Sequence, residues 1–363
     1  FGGPTSKSFL GVDIGAGGIK LVEMTEEKGR SRLMTYGYSQ RELAKSSTSL
    51  LEDPKAAAVL LSKVIKQADV KTNRVVSALP SSKVFSAIIS VPRVKDEKEL
   101  KPLIEAQARK LVPLPFEEMI LDSKLIDELE VKEPEKKEKK KDKKEESKKP
   151  KGNVRVLVTG AAKTLVQKYV EMFRLAKLEL VALETESFAL IRTLIGKDKS
   201  PILIIDIGTI RTNLIVVEKG IPFLTRSVNI GGQMVTKQIA QQMGMTEEQA
   251  EQLKYDLAGQ HKAGDVLPVV EQTMTPILNE INYTFEQYAR MDTTETTKVE
   301  KIILTGGSAH LPGMVKFIAD KTGLNTYAGD PWARVVYAED MRPILDEIGP
   351  RMAVSIGLAM REE

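Results

Sequence analysis

Hydrophobic and polar residues follow two different periods along this chain, and the changes of period predict strands and helices in turn. Short apolar runs predict strands at 9–24, 31–38, 74–79, 84–91, 119–126, 154–159, 201–217 and 301–304. Apolar residues at helical spacing predict amphipathic helices at 55–68, 97–111, 165–178, 185–195, 246–257, 275–291 and 351–361. Strands that alternate with helices throughout a chain are typical of layered α/β structure.

One stretch, residues 132–152, breaks this pattern because it contains no hydrophobic residue. From Lys132 to Lys151 it holds eleven lysines against six acidic residues, a local charge of +5. Such a segment cannot bury enough apolar surface to fold. Since strand patterns resume on both sides of it, we expect a disordered, solvated insertion within one domain.

The net charge of the chain does not indicate nucleic-acid binding. The formal charge is +4, and subtracting the +5 of the insertion leaves about −1 for the remainder. A nearly neutral body lacks the basic surface that nucleic-acid binding requires. We therefore expect no nucleic-acid partner.

Cysteine and histidine usage excludes further classes of site. The chain has no cysteine, which excludes disulfides and thiolate metal sites and favours a reducing, cytoplasmic location. The two histidines, His261 and His310, are far apart in sequence, which argues against a histidine-rich metal site.

No apolar run reaches the roughly 18 residues that a membrane span needs, so we expect membrane association only through a partner.

Two segments of the chain, GVDIGAGGIKLVEM and ILIIDIGTIRTNLIVVEKG, repeat one pattern. Each consists of an apolar strand that ends in Asp-Ile-Gly, a turn rich in small or hydroxyl residues, and a second apolar strand. The two aspartates, Asp13 and Asp206, lie 193 residues apart. A loop that occurs twice at this separation indicates two related halves that face one another.

Each of these loops has the composition of a phosphate-binding turn. Backbone N–H groups of a tight turn bind phosphate oxygens, and glycine permits close approach because it has no Cβ. The candidate groups are the backbone at Gly15, Gly17, Gly18 and Gly208, the hydroxyls of Thr209 and Thr212, and the positive charge of Lys20. Asp13 and Asp206, at strand ends on opposite sides of a cleft, are suited to hold a hydrated Mg²⁺.

A third glycine motif follows the last predicted strand, in the sequence KIILTGGSAHLPGM. Gly306 and Gly307 come between that strand and a helix expected to begin near Pro312, an arrangement that suits the close approach of an adenosine. The chain lacks a P-loop motif, and GAGGIK lacks the third glycine of a dinucleotide fingerprint. The three motifs together predict a nucleotide site of another class.

The order of these motifs resembles the actin, Hsp70 and sugar-kinase superfamily, in which two phosphate loops and an adenosine loop surround ATP between two lobes. The resemblance implies an α/β, actin-like two-lobed fold of duplicated RNase H-like domains, with ATP and Mg²⁺ as cofactors. The residues that match the first loop, the second loop and the adenosine loop in turn are Asp13, Gly15, Gly18 and Lys20; Asp206, Gly208, Thr209, Thr212 and Asn213; and Gly306, Gly307 and Ser308. Gly231 and Gly232 resemble a glycine pair near the phosphates, and Glu251 and Lys254 resemble a helix that contacts ribose and adenine.

Within this superfamily, the chain resembles the PilM family of type IV pilus assembly proteins along nearly its whole length. The matching stretches are LVPLPFEEMILD, KYVEMFRLAKLELVALETESFALIRTL, NIGGQMVTKQIA and RMAVSIGLAMRE. The resemblance implies a cytoplasmic ATP-binding scaffold, peripheral at the inner face of the inner membrane, in the type IV pilus assembly platform. It implies that the N-terminal cytoplasmic tail of the membrane protein PilN binds in a groove between subdomains 1A and 1C. A monomer or weak homo-oligomer is expected, with other pilus platform and motor proteins as further partners.

The same resemblance divides the chain into four subdomains. In order they are 1A at 7–80, 183–199 and 346–363; 1C at 81–182, shared with the cell-division protein FtsA and interrupted by the insertion; 2A at 200–235 and 298–345; and 2B at 236–297. Ile88–Val91 and the helix at 97–111 are candidates for the PilN groove, although their apolar faces are also typical of ordinary core.

Hydrolysis of ATP needs a polar group that orients water at the γ-phosphate. Glu184 resembles the acid at this position in Hsp70-like members and is our candidate catalytic residue, for at most a weak ATPase activity. In the alternative interpretation, Thr185 caps a helix and Glu184 is merely exposed. Two other functions remain open: a filament protein like FtsA, and a small-molecule kinase, for which the sequence shows no substrate-activating aspartate.

Overall fold

The structure is a computed structural model, and it describes residues 8–39, 50–94, 97–126, 152–259, 268–291, 294, 298–311 and 313–361. His261, Pro312 and the predicted insertion up to residue 151 lie outside the described residues. The strands are β1 (Ser8–Gly15), β2 (Gly18–Glu27), β3 (Arg30–Tyr38), β4 (Arg74–Leu79), β5 (Val84–Pro92), β6 (Met119–Leu125), β7 (Asn153–Ala162), β8 (Glu179–Thr185), β9 (Ile202–Ile207), β10 (Thr212–Glu218), β11 (Ile221–Val228), β12 (Lys301–Thr305), β13 (Asn325–Ala328) and β14 (Val335–Val336). The helices are α1 (Pro54–Gln67), α2 (Glu97–Ala108), α3 (Lys163–Leu175), α4 (Glu186–Leu194), α5 (Gly232–Met243), α6 (Glu247–Gly259), α7 (Pro268–Ala289), α8 (Met314–Thr322) and α9 (Arg342–Ala359).

The chain divides into two compact units, one formed by residues 1–83 and 164–363 and the other by residues 84–163. Residues 164–182, which the sequence analysis assigned to subdomain 1C, cluster with the larger unit, since β8 pairs in parallel with β4. The division into four subdomains stays a prediction.

Two sheets in the larger unit repeat one strand order. The first has the order β14-β3-β2-β1-β4-β8 and the second has the order β11-β10-β9-β12-β13. In the first sheet, β3, β2 and β1 are antiparallel, and β4 and β8 then run parallel to β1. In the second sheet, β11, β10 and β9 are antiparallel, and β12 and β13 then run parallel to β9. The short strand β14 extends the first sheet beyond β3. The repeat detected in two loops therefore extends over whole sheets.

A buried apolar cluster joins the two sheets of the larger unit. It contains Phe9 and Val76 from the first sheet, Ile204 and Ile303 from the second, and residues of α4 and α9, among them Leu190. These side chains are at least nine-tenths buried, so the burial of apolar surface holds the halves together at this side.

Two glycines allow helix α9 to pack directly on its neighbours. A Cβ on Gly11 of β1 would lie 2.1 Å from the carbonyl oxygen of Ser355, and one on Gly357 would lie 2.0 Å from that of Ala189 in α4. No side chain fits these crossings, because real Cβ contacts are never this short. Trp332 packs at the other end of α9, fully buried, with its Nε1–H donating to the carbonyl oxygen of Leu345 at 2.8 Å. The loop around Trp332 is thereby anchored to α9.

The smaller unit consists of a three-stranded antiparallel sheet of order β5-β7-β6 with α2. Ile89 and Val91 of β5 and Ile104 and Ala108 of α2 are buried together in its core. The buried residues on the apolar faces that were candidates for a peptide groove therefore form the core of this unit.

Two helices begin earlier than their sequence pattern predicts. α7 begins at Pro268 and α9 at Arg342, in each case with a proline in the first turn and a second proline, Pro276 or Pro350, inside the helix. A proline fits the first turn because it needs no amide hydrogen there, and the inner prolines concealed the continuation. Among the described residues, no helix combines the length and the apolar character that crossing a membrane requires.

Candidate functional site

The first phosphate loop is a tight hairpin between β1 and β2. Asp13 lies opposite Lys20 in the ladder and Gly15 lies opposite Gly18. Gly18 has a φ of +132°, which a side chain rarely adopts, and its Cβ would lie 2.1 Å from the carbonyl oxygen of Ser39. Glycine is required here both for the backbone conformation and for the packing of the chain that leaves β3.

The second phosphate loop connects β9 and β10 and copies the first. Asp206 lies opposite Asn213 in the ladder, and the N–H of Gly208 donates to the carbonyl oxygen of Arg211 at 2.9 Å. The hydroxyl of Thr212 is directed elsewhere, since it donates to the carbonyl oxygen of Ile230 at 2.7 Å.

The two loops meet. A Cβ on Gly17 of the first loop would lie 2.4 Å from Oγ1 of Thr209 in the second loop. The amino end of α5 rests on the second loop as well: the N–H groups of Gly232 and Gln233 donate to the carbonyl oxygens of Gly208 and Thr209 at 2.9 and 2.8 Å. The loops predicted from opposite halves of the chain therefore converge on one place.

The adenosine loop closes the site from the second sheet. A Cβ on Gly306 would lie 2.5 Å from Oδ1 of Asp206, and Gly306 has a φ of +90°. The N–H of Gly306 donates to the carbonyl oxygen of Pro350 at 3.1 Å, and the N–H of Ser308 donates to that of Ile207 at 3.2 Å. The loop is thus fastened both to α9 and to the second phosphate loop.

Helix α6 contributes an ion pair to the site, in which the lysine is buried and the glutamate is partly exposed. Nζ of Lys254 lies 2.6 Å from the carboxylate of Glu251 and donates to Oγ1 of Thr236 at 2.8 Å. Burial lowers the pKa of Lys254, and the neighbouring Glu251 opposes that effect. Both side chains face the same cavity as the three loops.

These elements enclose a cavity of about 610 Å³, within the usual range of roughly 300–1,000 Å³ for small-molecule sites. Most of the predicted site residues line it: Asp13, Gly15, Gly17, Lys20, Asp206, Gly208, Thr209, Asn213, Gly232, Glu251, Lys254, Gly306, Gly307 and Ser308. The lining does not include Gly18, Thr212 or Gly231. These three residues instead pack against or hydrogen-bond to the backbone of neighbouring segments. A Cβ on Gly231 would lie 2.7 Å from the carbonyl oxygens of Gly208 and Thr209.

Glu184, the predicted catalytic residue, is not in the lining of the cavity. Its carboxylate is bound by two arginines, at 2.8 Å from Nη2 of Arg192 and 2.8 Å from Nη1 of Arg361. The structure instead brings Glu186, two residues further on, into the lining. Thr185 caps α4 with its hydroxyl, as the alternative interpretation expected, and Glu186 is the first residue of the helix. The same interpretation expected Glu184 to be exposed, which is wrong, because its side chain is only 10% exposed between the two arginines.

Glu186 is held from both halves of the larger unit. Its Oε2 accepts the N–H of Ser81 at 2.7 Å and Nδ2 of Asn213 at 3.2 Å. Burial raises its pKa to about 7, and Asp13 and Asp206 add to the rise by repulsion. A carboxyl group with a pKa near neutrality is suited to accept and release a proton.

The other charges of the site are unevenly compensated. Lys20 forms an ion pair with Asp13 at 2.8 Å; burial lowers its pKa, but Asp13 outweighs that effect and the pKa is raised. The pKa of Asp206 is raised to about 6 by burial and by Asp13, with only partial relief from Lys20 and Asn213. Three carboxyl groups thus share one ammonium group, which leaves a negative cluster that favours a cation.

The donor set fits a hydrated magnesium ion better than a fully dehydrated metal. Among the described residues, no group of three or more His, Cys, Asp or Glu side chains is arranged to hold a metal ion directly. Mg²⁺ keeps several of its waters and takes one or two carboxylates, together with phosphate oxygens. Asp13 and Asp206 could supply that outer contact through water.

Among the lining residues that sequence reasoning missed are two arginines. Arg351 of α9 lies over the rings of Tyr38 and Tyr255, with its Cζ at 5.6 and 5.2 Å from the ring centroids. Arg211 reaches from the second phosphate loop to Ser82. Both arginines lie within stretches that the sequence analysis singled out, but nothing in those stretches shows that their side chains line the cavity, so only their positions in space reveal it.

The repeated sheets and the cavity that their hairpins enclose define the actin-like ATPase fold. Solved structures of this class are similar to the chain. The ethanolamine utilization protein EutJ from Carboxydothermus hydrogenoformans is 16% identical with a TM-score of 0.54, over 98% of this chain and 90% of that chain. MreB5 of Spiroplasma citri bound to ADP is 14% identical with a TM-score of 0.52, over 98% of this chain and 95% of that chain.

A model of one family, described as type IV pilus assembly protein PilM, matches residues 11–363. The chain therefore belongs to the PilM family, and its role lies in type IV pilus assembly. A solved PilM-PilN type IV pilus biogenesis complex contains a chain that is 25% identical, with a TM-score of 0.76 and coverage of 97% of both chains. The family that the sequence motifs indicated is confirmed.

Proposed function

We propose that this chain binds ATP with Mg²⁺ in the cavity between the two phosphate loops. The observation that supports the proposal most is the convergence of both hairpins and the adenosine loop on one cavity, with Gly17 and Gly306 admitting no side chain. Solved structures of the same fold, MreB5 among them, carry ADP or AMPPNP. The triphosphate would lie against the backbone N–H groups of the loops, with the ribose and adenine towards Glu251 and Lys254.

A titration with a fluorescent ATP analogue tests this proposal. We expect saturable binding that needs Mg²⁺, and Asp206→Ala should weaken it by on the order of 10–100-fold, since it removes a charge-assisted contact to the hydrated ion. The exposed Asp69, changed to alanine, is the matched control. If the affinity for the ATP analogue is the same without Mg²⁺ and in Asp206→Ala, the nucleotide site is wrongly assigned.

We also propose that ATP is hydrolysed slowly and that Glu186, rather than Glu184, orients the attacking water. The position of Glu186 in the cavity lining, 2.7 Å from the N–H of Ser81, supports this role. Glu186→Gln should lower single-turnover hydrolysis by about 10²-fold or more with little change in ATP affinity. Glu184→Gln is the matched control two residues away and should keep the wild-type rate. If the control variant loses activity and Glu186→Gln does not, the assignment is reversed.

As a third part of the proposal, the chain is a cytoplasmic scaffold that holds the N-terminal cytoplasmic tail of a PilN-type membrane protein and so lies at the inner face of the inner membrane. Membership of the PilM family and the likeness to the PilM-PilN complex support this partner. A peptide with the sequence of such a tail, titrated with and without Mg-ATP, should bind saturably while a scrambled peptide should not. Equal binding of both peptides would contradict the partner assignment without affecting the nucleotide site.

A further inference from the structure

A hydrogen bond links the two halves of the larger unit at the rim of the cavity. Nη1 of Arg211, in the second phosphate loop, donates to Oγ of Ser82 at 2.6 Å. Its Nε donates to Oδ1 of Asn229 at 2.9 Å, which orients the guanidinium group. Ser82 belongs to the short 3-10 helix Ser81–Lys83 that follows β4 of the first sheet.

This link differs from the buried connection between the halves at α4 and α9. At α4 and α9 the halves share a buried apolar cluster, which opens only at a large cost in free energy. Arg211 and Ser82 are both accessible to solvent, and an exposed hydrogen bond to a charged group can break and reform at little cost. The Arg211 side is therefore the one that can open to admit a ligand.

The Ser81–Lys83 helix is held a second time from within the cavity. The N–H of Ser81 donates to the carboxylate of Glu186 at 2.7 Å, and the same oxygen accepts Nδ2 of Asn213 in the second phosphate loop. Two consecutive residues thus receive contacts from two groups that line the nucleotide cavity. The chain continues from Lys83 directly into β5, the first strand of the smaller unit.

We infer that Arg211 is a positioning residue that clasps the second phosphate loop to the Ser81–Lys83 helix and thereby slows the release of bound nucleotide. The inference rests on the proposed nucleotide site. Since two linked equilibria affect each other by the same factor, bound nucleotide also reduces the opening of the Ser81–Lys83 helix. Occupancy of the cavity is in this way transmitted to the segment that leads into the smaller unit.

Two measurements on the full chain test the clasp. The first is the release rate of a fluorescent ATP analogue, chased with unlabelled Mg-ATP. Arg211→Met should speed release about two- to fivefold, as expected for losing one exposed hydrogen bond to a charged group, and Ser82→Ala should have a smaller effect in the same direction. The double variant should release no faster than Arg211→Met alone, because both changes remove the same contact. Arg211→Lys, which keeps one donor, should fall between wild type and Arg211→Met.

The second measurement is amide hydrogen exchange over residues 79–86 with and without Mg-AMPPNP. The nucleotide should slow exchange there severalfold in the wild-type chain and not in Arg211→Met. Arg32→Met, which breaks an exposed ion pair with Glu27, is the control and should behave as wild type in both measurements.

Three outcomes are decisive. Faster release together with lost protection in Arg211→Met supports the clasp. Wild-type release rates in both Arg211→Met and Ser82→Ala, or additive effects in the double variant, overturn it while leaving the nucleotide site intact. Absence of any nucleotide protection at residues 206–213 and 306–308 in the wild-type chain overturns the nucleotide site, and the clasp with it.

Discussion

The two phosphate loops of this protein share one backbone design and differ in charge. Each begins with an aspartate at a strand end, and the residue directly opposite that aspartate in the ladder is Lys20 in the first loop and Asn213 in the second. Asp13 therefore has an ion pair at 2.8 Å, whereas Asp206 has a neutral amide at 3.3 Å. The two loops therefore share one backbone geometry, but the charge of Asp13 is balanced by an ammonium group and that of Asp206 is met by a neutral amide.

Because of this difference, two loops of the same backbone geometry carry different charges towards the cavity. The pKa of Asp206 is raised to about 6 and that of Glu186 to about 7, chiefly by burial and by repulsion within the cluster. A divalent cation would relieve that repulsion. The proposed Mg²⁺ would therefore relieve more repulsion at the second loop than at the first, which carries its own counter-charge.

The largest expected effect comes from removing the aspartates one at a time, without nucleotide. Asp13→Asn leaves the partly buried Lys20 without its partner, and we expect the free energy of unfolding to fall by about 3 kcal/mol. Asp206→Asn removes a partly buried charge that Lys20 and Asn213 compensate only in part, and we expect a gain of about 1 kcal/mol or no change. Denaturant titrations measure both variants. Equal destabilisation by the two changes would contradict the asymmetry.

The contact between the two loops can be broken at Gly17. Its added Cβ would lie 2.4 Å from Oγ1 of Thr209, so Gly17→Ala should cost about 1–3 kcal/mol of stability through overpacking. Thr209→Ala in the same chain should restore most of it. Gly307→Ala is the control, because its Cβ would make only an ordinary contact at 3.8 Å with Arg351. A cost at Gly17 that Thr209→Ala does not relieve would place the clash elsewhere.

Magnesium alone should stabilise the folded chain. At ten times its dissociation constant, an ion that binds only the folded state adds about 1.4 kcal/mol. We expect this gain in thermal unfolding of the wild-type chain and its loss in Asp206→Asn. Sodium chloride at matched ionic strength controls for screening. A gain that survives in Asp206→Asn would show that the ion binds elsewhere.

The smallest effect concerns pH and an aspartate near the other end of β9. Asp198 pairs with Lys301 at 2.5 Å, and the hydrogen bonds from Lys301 and Ser200 lower its pKa to about 2, opposite in direction to Asp206. A lowered folded-state pKa contributes stability above about pH 4 that is lost as the pH falls towards 2. Because both side chains keep about a third of their surface in contact with solvent, we expect only about 0.5–1 kcal/mol. Lys301→Met should flatten the acid limb of a stability–pH profile, and an unchanged limb would refute the assignment.

Local patterns in the sequence predicted the two hairpins, the glycine turns and the family. The apolar runs of β1 and β9 end in Asp-Ile-Gly, and a tight turn between two strands sets which residues face each other across it. The opposition of Asp13 with Lys20 and of Asp206 with Asn213 follows from that short-range geometry. The same reasoning located Gly306 and Gly307 after a buried strand.

Local sequence patterns did not identify the acid that lines the cavity. Glu184 and Glu186 are two residues apart around a helix cap, and the segment E-T-E holds nothing that tells which one faces the cavity. The partners decide it: Arg361 binds Glu184, while Ser81 and Asn213 bind Glu186. Those partners are between 27 and 177 residues away in sequence.

The sequence by itself therefore determined the two halves and the loops, because each depends on residues within one strand–turn–strand unit. Only the tertiary structure decided which acid serves the site, which arginine crosses its rim, and how charge is shared among Asp13, Asp206 and Glu186. Ion pairs, burial and electrostatic repulsion depend on distances between segments that are remote in the chain, and those distances exist only once the two sheets have packed around α4 and α9.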